Sequence, residues 1–120
     1  MSRTTAPERW QVQAGSADVA TLAIPPDLHR DRDFEIDCRF VVRVPAEACS
    51  APPWLHMRVL VNGHQEWERR IDAANPGASD SLDLHFRRCV PPRQALKIVA
   101  QVRSQGVQRL ALQIEAEENP

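Results

Sequence analysis

From Phe34 to Val44 the chain alternates with period two. Phe34, Ile36, Cys38, Phe40, Val42 and Val44 fall on one side of an extended backbone, with Glu35, Asp37, Arg39 and Arg43 on the other. Successive side chains of a strand point to opposite faces, so this segment reads as a β-strand with one face in a core and one in water. That habit belongs to antiparallel sheets, because parallel strands are covered on both faces. The same pattern places Trp10 and Val12 in a first strand, Ala20, Leu22 and Ile24 in a second, and Leu82, Leu84 and Phe86 in a later one. Leu96, Ile98, Ala100 and Val102 follow, then Leu110, Leu112 and Ile114.

Pro25-Pro26, Pro52-Pro53, Asn75-Pro76-Gly77 and Pro91-Pro92 interrupt these runs, fixing φ and removing backbone donors, which ends strands. Nothing longer than a helical turn near Ala46 to Ser50 fits a helix. Two segments invite a register test. Joining Trp54–Leu60 to His64–Ile71 by a two-residue Asn62-Gly63 turn puts Leu55, Met57 and Val59 on one face but Trp67 and Ile71 on the other. A three-residue loop of Val61, Asn62 and Gly63, with Gly63 left-handed, brings all five to one face. Its outer face then sets Arg58 opposite Glu66 and His56 opposite Glu68, favourable cross-strand pairs. A loop of Ser104, Gln105 and Gly106 in the same way pairs Ala100 with Leu110, Ile98 with Leu112 and Leu96 with Ile114.

About eight strands with one apolar face each must stack as two layers or close on themselves. The expected fold is all-β: an antiparallel two-sheet β-sandwich, jelly-roll or immunoglobulin-like, with a closed β-barrel as the alternative. The connections over 25–33, 45–53 and 72–80 are long enough to cross between sheets. With 120 residues, one domain is expected over 1–120, with a short flexible N-terminal segment at about 1–7 and an acidic C-terminal end at about 116–120.

Lys and Arg number 15 against 16 Asp and Glu, intermixed along the chain, so no electrostatic footprint for nucleic acid or an anionic membrane is present. No run approaches the roughly 20 apolar residues of a membrane span, and the first residues lack the apolar stretch of a secretory signal. Cys38, Cys49 and Cys89 are odd in number and widely spaced, which suits reduced thiols. A cytoplasmic location is the expectation.

No phosphate-binding glycine loop, nucleophile elbow or paired metal-ligand motif occurs, so no catalytic residue, metal or cofactor is assigned and an enzyme is not expected. His56, His64, Glu66 and Glu68 have the chemistry of metal ligands, but the register keeps His64 too far from His56 to share an ion. His85, Asp83 and Ser81 supply the letters of a triad without spacing that aims a ring nitrogen at a hydroxyl. His29, in Leu28-His29-Arg30-Asp31-Arg32-Asp33, reads as part of a solvated connection. Cys38 reads as a small core residue, and Cys89 as a thiol close to Arg87, Arg88 and Arg93.

The remaining reading is a binding or assembly module that works through an exposed sheet face. Trp54, His56, Arg58, Glu66 and Glu68 lie together on the outer face, where a rigid aromatic buries area at low entropic cost. A second strip, Val99, Val107 and Ala111, lies on the outer face of the last hairpin and suits a homodimer contact. A protein partner or self-association is therefore expected first. A small molecule or glycan at Trp54 is the alternative, and a metal-dependent enzyme using the outer histidines and glutamates comes last.

Overall fold

The computed structural model describes residues 7–47, 51–73 and 75–119. Eight strands follow one another: β1 (Arg9–Gln13), β2 (Val19–Ile24), β3 (Arg32–Arg43), β4 (Trp54–Val61), β5 (His64–Asp72), β6 (Ser79–Val90), β7 (Leu96–Gln105) and β8 (Gln108–Glu118). They form two four-stranded antiparallel sheets, ordered β1-β8-β3-β6 and β2-β7-β4-β5. The sheets are open, so the barrel alternative does not hold. Pairing is nested: β1 with β8, β2 with β7, β3 with β6 and β4 with β5. This is one long hairpin rolled up, which is the strand order of a jelly roll rather than of an immunoglobulin domain.

The alternation of β3 is expressed in full. None of Phe34, Ile36, Cys38, Phe40, Val42 and Val44 is more than 1% exposed. They face Leu55, Met57 and Val59 of β4 and Leu96, Ile98 and Ala100 of β7 within one core. Cys38 is a core residue, and its burial, followed by the Asp37 charge, pushes the thiol up to about 12. The connections between β2 and β3, β3 and β4, and β5 and β6 all pass from one sheet to the other, as their length suggested.

Both predicted hairpin registers need correction. The β4–β5 turn has only two residues, with φ of 48° at Asn62 and 84° at Gly63, and Val61 pairs with His64. A bulge then skips Glu66, so that Val59 pairs with Trp67 and Leu55 with Ile71. One extra residue in the strand has the same effect on parity as one extra in the loop, so the apolar face is as expected although the register is not. Asn62 also donates its side-chain amide to the Ala95 carbonyl (3.3 Å) and accepts from the Lys97 N–H (2.8 Å), tying the turn to the start of β7.

The β7–β8 hairpin does not exist as a pair within one sheet. β7 lies between β2 and β4, β8 between β1 and β3, and Gly106, at φ 71°, turns the chain between layers. At the acidic end β8 runs to Glu118, which is 5% exposed. Glu118 receives Arg30, while Glu8 receives both Arg30 and the 3% exposed Arg32. Arg32 also donates to the Pro25 carbonyl at 2.9 Å. A segment that reads as solvated thus ties the β2–β3 connection to the start of β1 and the end of β8.

Candidate functional site

Pro52-Pro53 ends the connection from β3, and the Pro53 carbonyl accepts from the Ala73 N–H at 2.9 Å, which aligns the start of β4 with the end of β5. From Trp54 onward every second residue of β4 points outward, and the pairing arranges the outer face of this sheet in rows. Asp72, Trp54 and Gln105 form the first row across β5, β4 and β7. Arg70, His56 and Arg103 form the second. Glu68, Arg58, Gln101 and Val19 form the third, reaching β2. All of these except Asp72 and Gln105, together with Asp18, Val102, Ser104 and Arg109, line a groove of about 880 Å³.

Within the groove the polar groups are ordered by one another. Trp54 donates its indole N–H to Gln105 (3.3 Å), and the Arg70 guanidinium lies 4.2 Å from its ring centre. His56 Nε2 meets Glu68 Oε1 at 2.8 Å, and Gln65 donates to the other Glu68 oxygen at 3.1 Å. The His56 hydrogen bond, opposed by partial desolvation and helped by the nearby charges of His56 and Arg58, holds the Glu68 carboxyl below its ordinary range. His56 Nδ1 is buried and has no hydrogen-bond partner. Arg58 donates to Gln101 at 3.0 Å. Arg109 pairs with Asp18 and donates to Ser104 at 3.0 Å.

Of the five residues expected to share this face, Trp54, His56, Arg58 and Glu68 line the groove. Glu66 does not. The bulge turns it toward β6, where it pairs with Arg88 at 2.6 Å beside a second cavity of about 310 Å³ that also contains His64 and Cys89. His56 is opposite Arg70 rather than Glu68, and Arg58 is opposite Glu68 rather than Glu66, so the His56–Glu68 contact is diagonal. Arg70 and Arg103 belong to the site and were not singled out from sequence. Their even spacing with Glu68 and Gln101 marks the correct face, but Arg103 enters only because β7 pairs with β4.

The proposed dimer strip is dispersed. Val99 pairs with Thr21 and Leu60 in one sheet, Ala111 pairs with Val41 in the other, and Val107 packs on the core at the crossing. The triad letters do not assemble either: the His85 ring meets Asp37 at 2.8 Å, while the Ser81 hydroxyl donates to Asp83 at 2.7 Å. Cys89 is exposed, with its sulfur 3.7 Å from the Asp33 carboxylate, which also pairs with Arg87. Cys49 lies outside the described residues. Among the described residues no group of three or more potential metal ligands is gathered.

No protein-family model matches the chain, and no curated protein matches it in sequence. Among solved structures it is similar to dimeric latent PorU from Porphyromonas gingivalis, with a TM-score of 0.57 at 10% identity. The match covers 93% of this chain and 13% of that one, and at such identity it speaks for the fold alone.

Proposed function

We propose that this domain is a non-catalytic binding module that takes its ligand in the groove on the outer face of the β2-β7-β4-β5 sheet. The observation that carries the reading is the groove itself. Its volume of about 880 Å³ falls in the range of small-molecule and oligosaccharide sites, and its floor is made of side chains on paired strands rather than on loops. Of the two binding readings the sequence left open, a ligand at Trp54 is favoured over self-association, because the strip that suited a dimer is divided between opposite sides of the sandwich. Glu68 is held ionised by His56 and Gln65, which removes it as a general acid, and the Ser104 hydroxyl accepts from Arg109.

The test is a nuclear magnetic resonance screen of a glycan and metabolite panel that follows the three indole N–H signals. A groove ligand shifts the Trp54 signal and leaves those of Trp10 and Trp67 in place. Ligands that shift only residues of the opposite sheet, such as Arg39 or His85, would sink the proposal.

A further inference from the structure

The arginines of this protein fall into two groups. Arg9, Arg30, Arg32, Arg39, Arg87, Arg88 and Arg109 each pair with a carboxylate. Among the described residues Arg43, Arg58, Arg69, Arg70, Arg93 and Arg103 have no ion pair, and of these Arg58, Arg70 and Arg103 line the groove. The two carboxylates in the same lining are already engaged, Asp18 by Arg109 and Glu68 by His56 and Gln65. The lining therefore has four guanidinium groups, those of Arg58, Arg70, Arg103 and Arg109, against the two carboxylates of Asp18 and Glu68, in a chain whose formal net charge is -1.

Their placement is as telling as their number. Arg70 and Arg103 flank His56 in one row across three adjacent strands, with their backbones two strand spacings, about 10 Å, apart. Both line the groove on either side of the imidazole. Stacking on Trp54 at 4.2 Å fixes the plane of Arg70 and leaves its N–H edges free, so that less freedom is lost when they bind a planar acceptor.

We infer that the groove binds an oligosaccharide bearing oxyanion groups, with one carboxylate or sulfate seated over His56 between Arg70 and Arg103. This rests on the groove reading above and names its ligand class. The rest of the lining favours a hydroxyl-rich chain over an acidic peptide. Gln101, Arg58 and Ser104 offer hydrogen bonds, while Val19, Val102 and Trp54 are the only apolar members and form no pocket for an anchoring side chain. Trp54 is then a positioning residue for Arg70 rather than a bare platform for a sugar ring.

The probes are oligogalacturonate of four residues, its neutral methyl ester, and a glutamate peptide of equal charge, titrated by calorimetry and by the Trp54 indole signal. The expected result is binding of the acid form, at least ~10-fold tighter than the ester and weakened as sodium chloride rises from about 50 to about 300 mM. Arg70→Gln and Arg103→Gln each weaken it by ~10-fold without altering the thermal melt, and Trp54→Leu weakens it while Trp54→Phe restores it. Equal binding of the ester at Trp54 would overturn the anion inference and leave the groove reading standing. Equal or tighter binding of the peptide would overturn the saccharide. No shift of Trp54 with any probe overturns both.

Discussion

On the outer face of the β1-β8-β3-β6 sheet, Arg39 stands opposite Asp83, His85 opposite Asp37, and Arg87 reaches Asp33, whereas on the outer face of the β2-β7-β4-β5 sheet Arg70 and Arg103 stand opposite His56 and Arg58, opposite Glu68, forms no ion pair with it. Both faces alternate, both are polar, and both carry histidine beside acid. On the first, Arg39, His85 and Arg87 of β3 and β6 each meet an acid of the adjacent strand. The second is left open around an aromatic residue and a groove. Charge composition does not separate the two faces, and pairing does.

If the paired face and its end network serve the fold while the open face serves binding, substitutions should divide accordingly. The largest effect is expected at Glu118, which receives Arg30 beside the buried Arg32. Glu118→Ala should cost about 1–3 kcal/mol in urea denaturation, because the Glu8 N–H and one face of Arg30 lose their acceptor at a buried position. The same network predicts an acid limb. Burial pushes the Glu118 carboxyl up, but the Arg30 hydrogen bond, the Glu8 N–H and the charges of Arg30 and Arg32 outweigh it, so it titrates below its ordinary value of 4.5. Its contribution is then complete above the ordinary carboxylate range and is lost as pH falls through the lowered native value. Glu118→Gln should flatten the loss of stability measured between about pH 5 and about pH 2.

Next in size is the turn between layers. Gly106→Val forces a β-branched residue to a φ of 71° and should cost about 1–2 kcal/mol by thermal melt, with Gly63→Val, at 84°, close behind. A melt equal to that of the unaltered protein at both sites would argue against these turns. Arg39→Ala on the paired face removes an exposed pair with Asp83 and should cost under about 1 kcal/mol, with no effect on any groove ligand. The smallest stability effect is expected on the open face, where Arg103→Gln should stay within about 0.5 kcal/mol while lowering ligand binding. If Arg103→Gln destabilised the fold more than Arg39→Ala, the contrast between the faces would fail.

Much of the site was legible before its geometry. Trp54, His56, Arg58 and Glu68 share a face because they share parity on β4 and β5, and parity survives an error of register by two. Glu66 was misplaced because a bulge leaves no unique sequence signal: a three-residue loop and a two-residue turn with a bulge return the same apolar face. Asn62-Gly63 was itself the signal for the shorter turn, through the positive φ that both positions adopt. The buried Arg32 was missed because its charge hides its inward parity with Phe34 and Ile36.

Alternation along the chain determined the strands and which side of each is buried, since these follow from side chains two residues apart. Which strands lie together was decided only by tertiary structure. β7 and β8 look like a hairpin because each has one apolar face and a glycine stands between them. The same pattern serves two strands that face each other across a core, and that is where they lie. Local periodicity specifies the direction of burial but not the layer, because a strand buries its apolar side equally well from above or below. The groove depends on that choice: with β7 beside β4, Arg103 joins His56 and Arg70 in one row, a juxtaposition of residues 33 positions apart in the chain, from Arg70 to Arg103, that no linear spacing encodes.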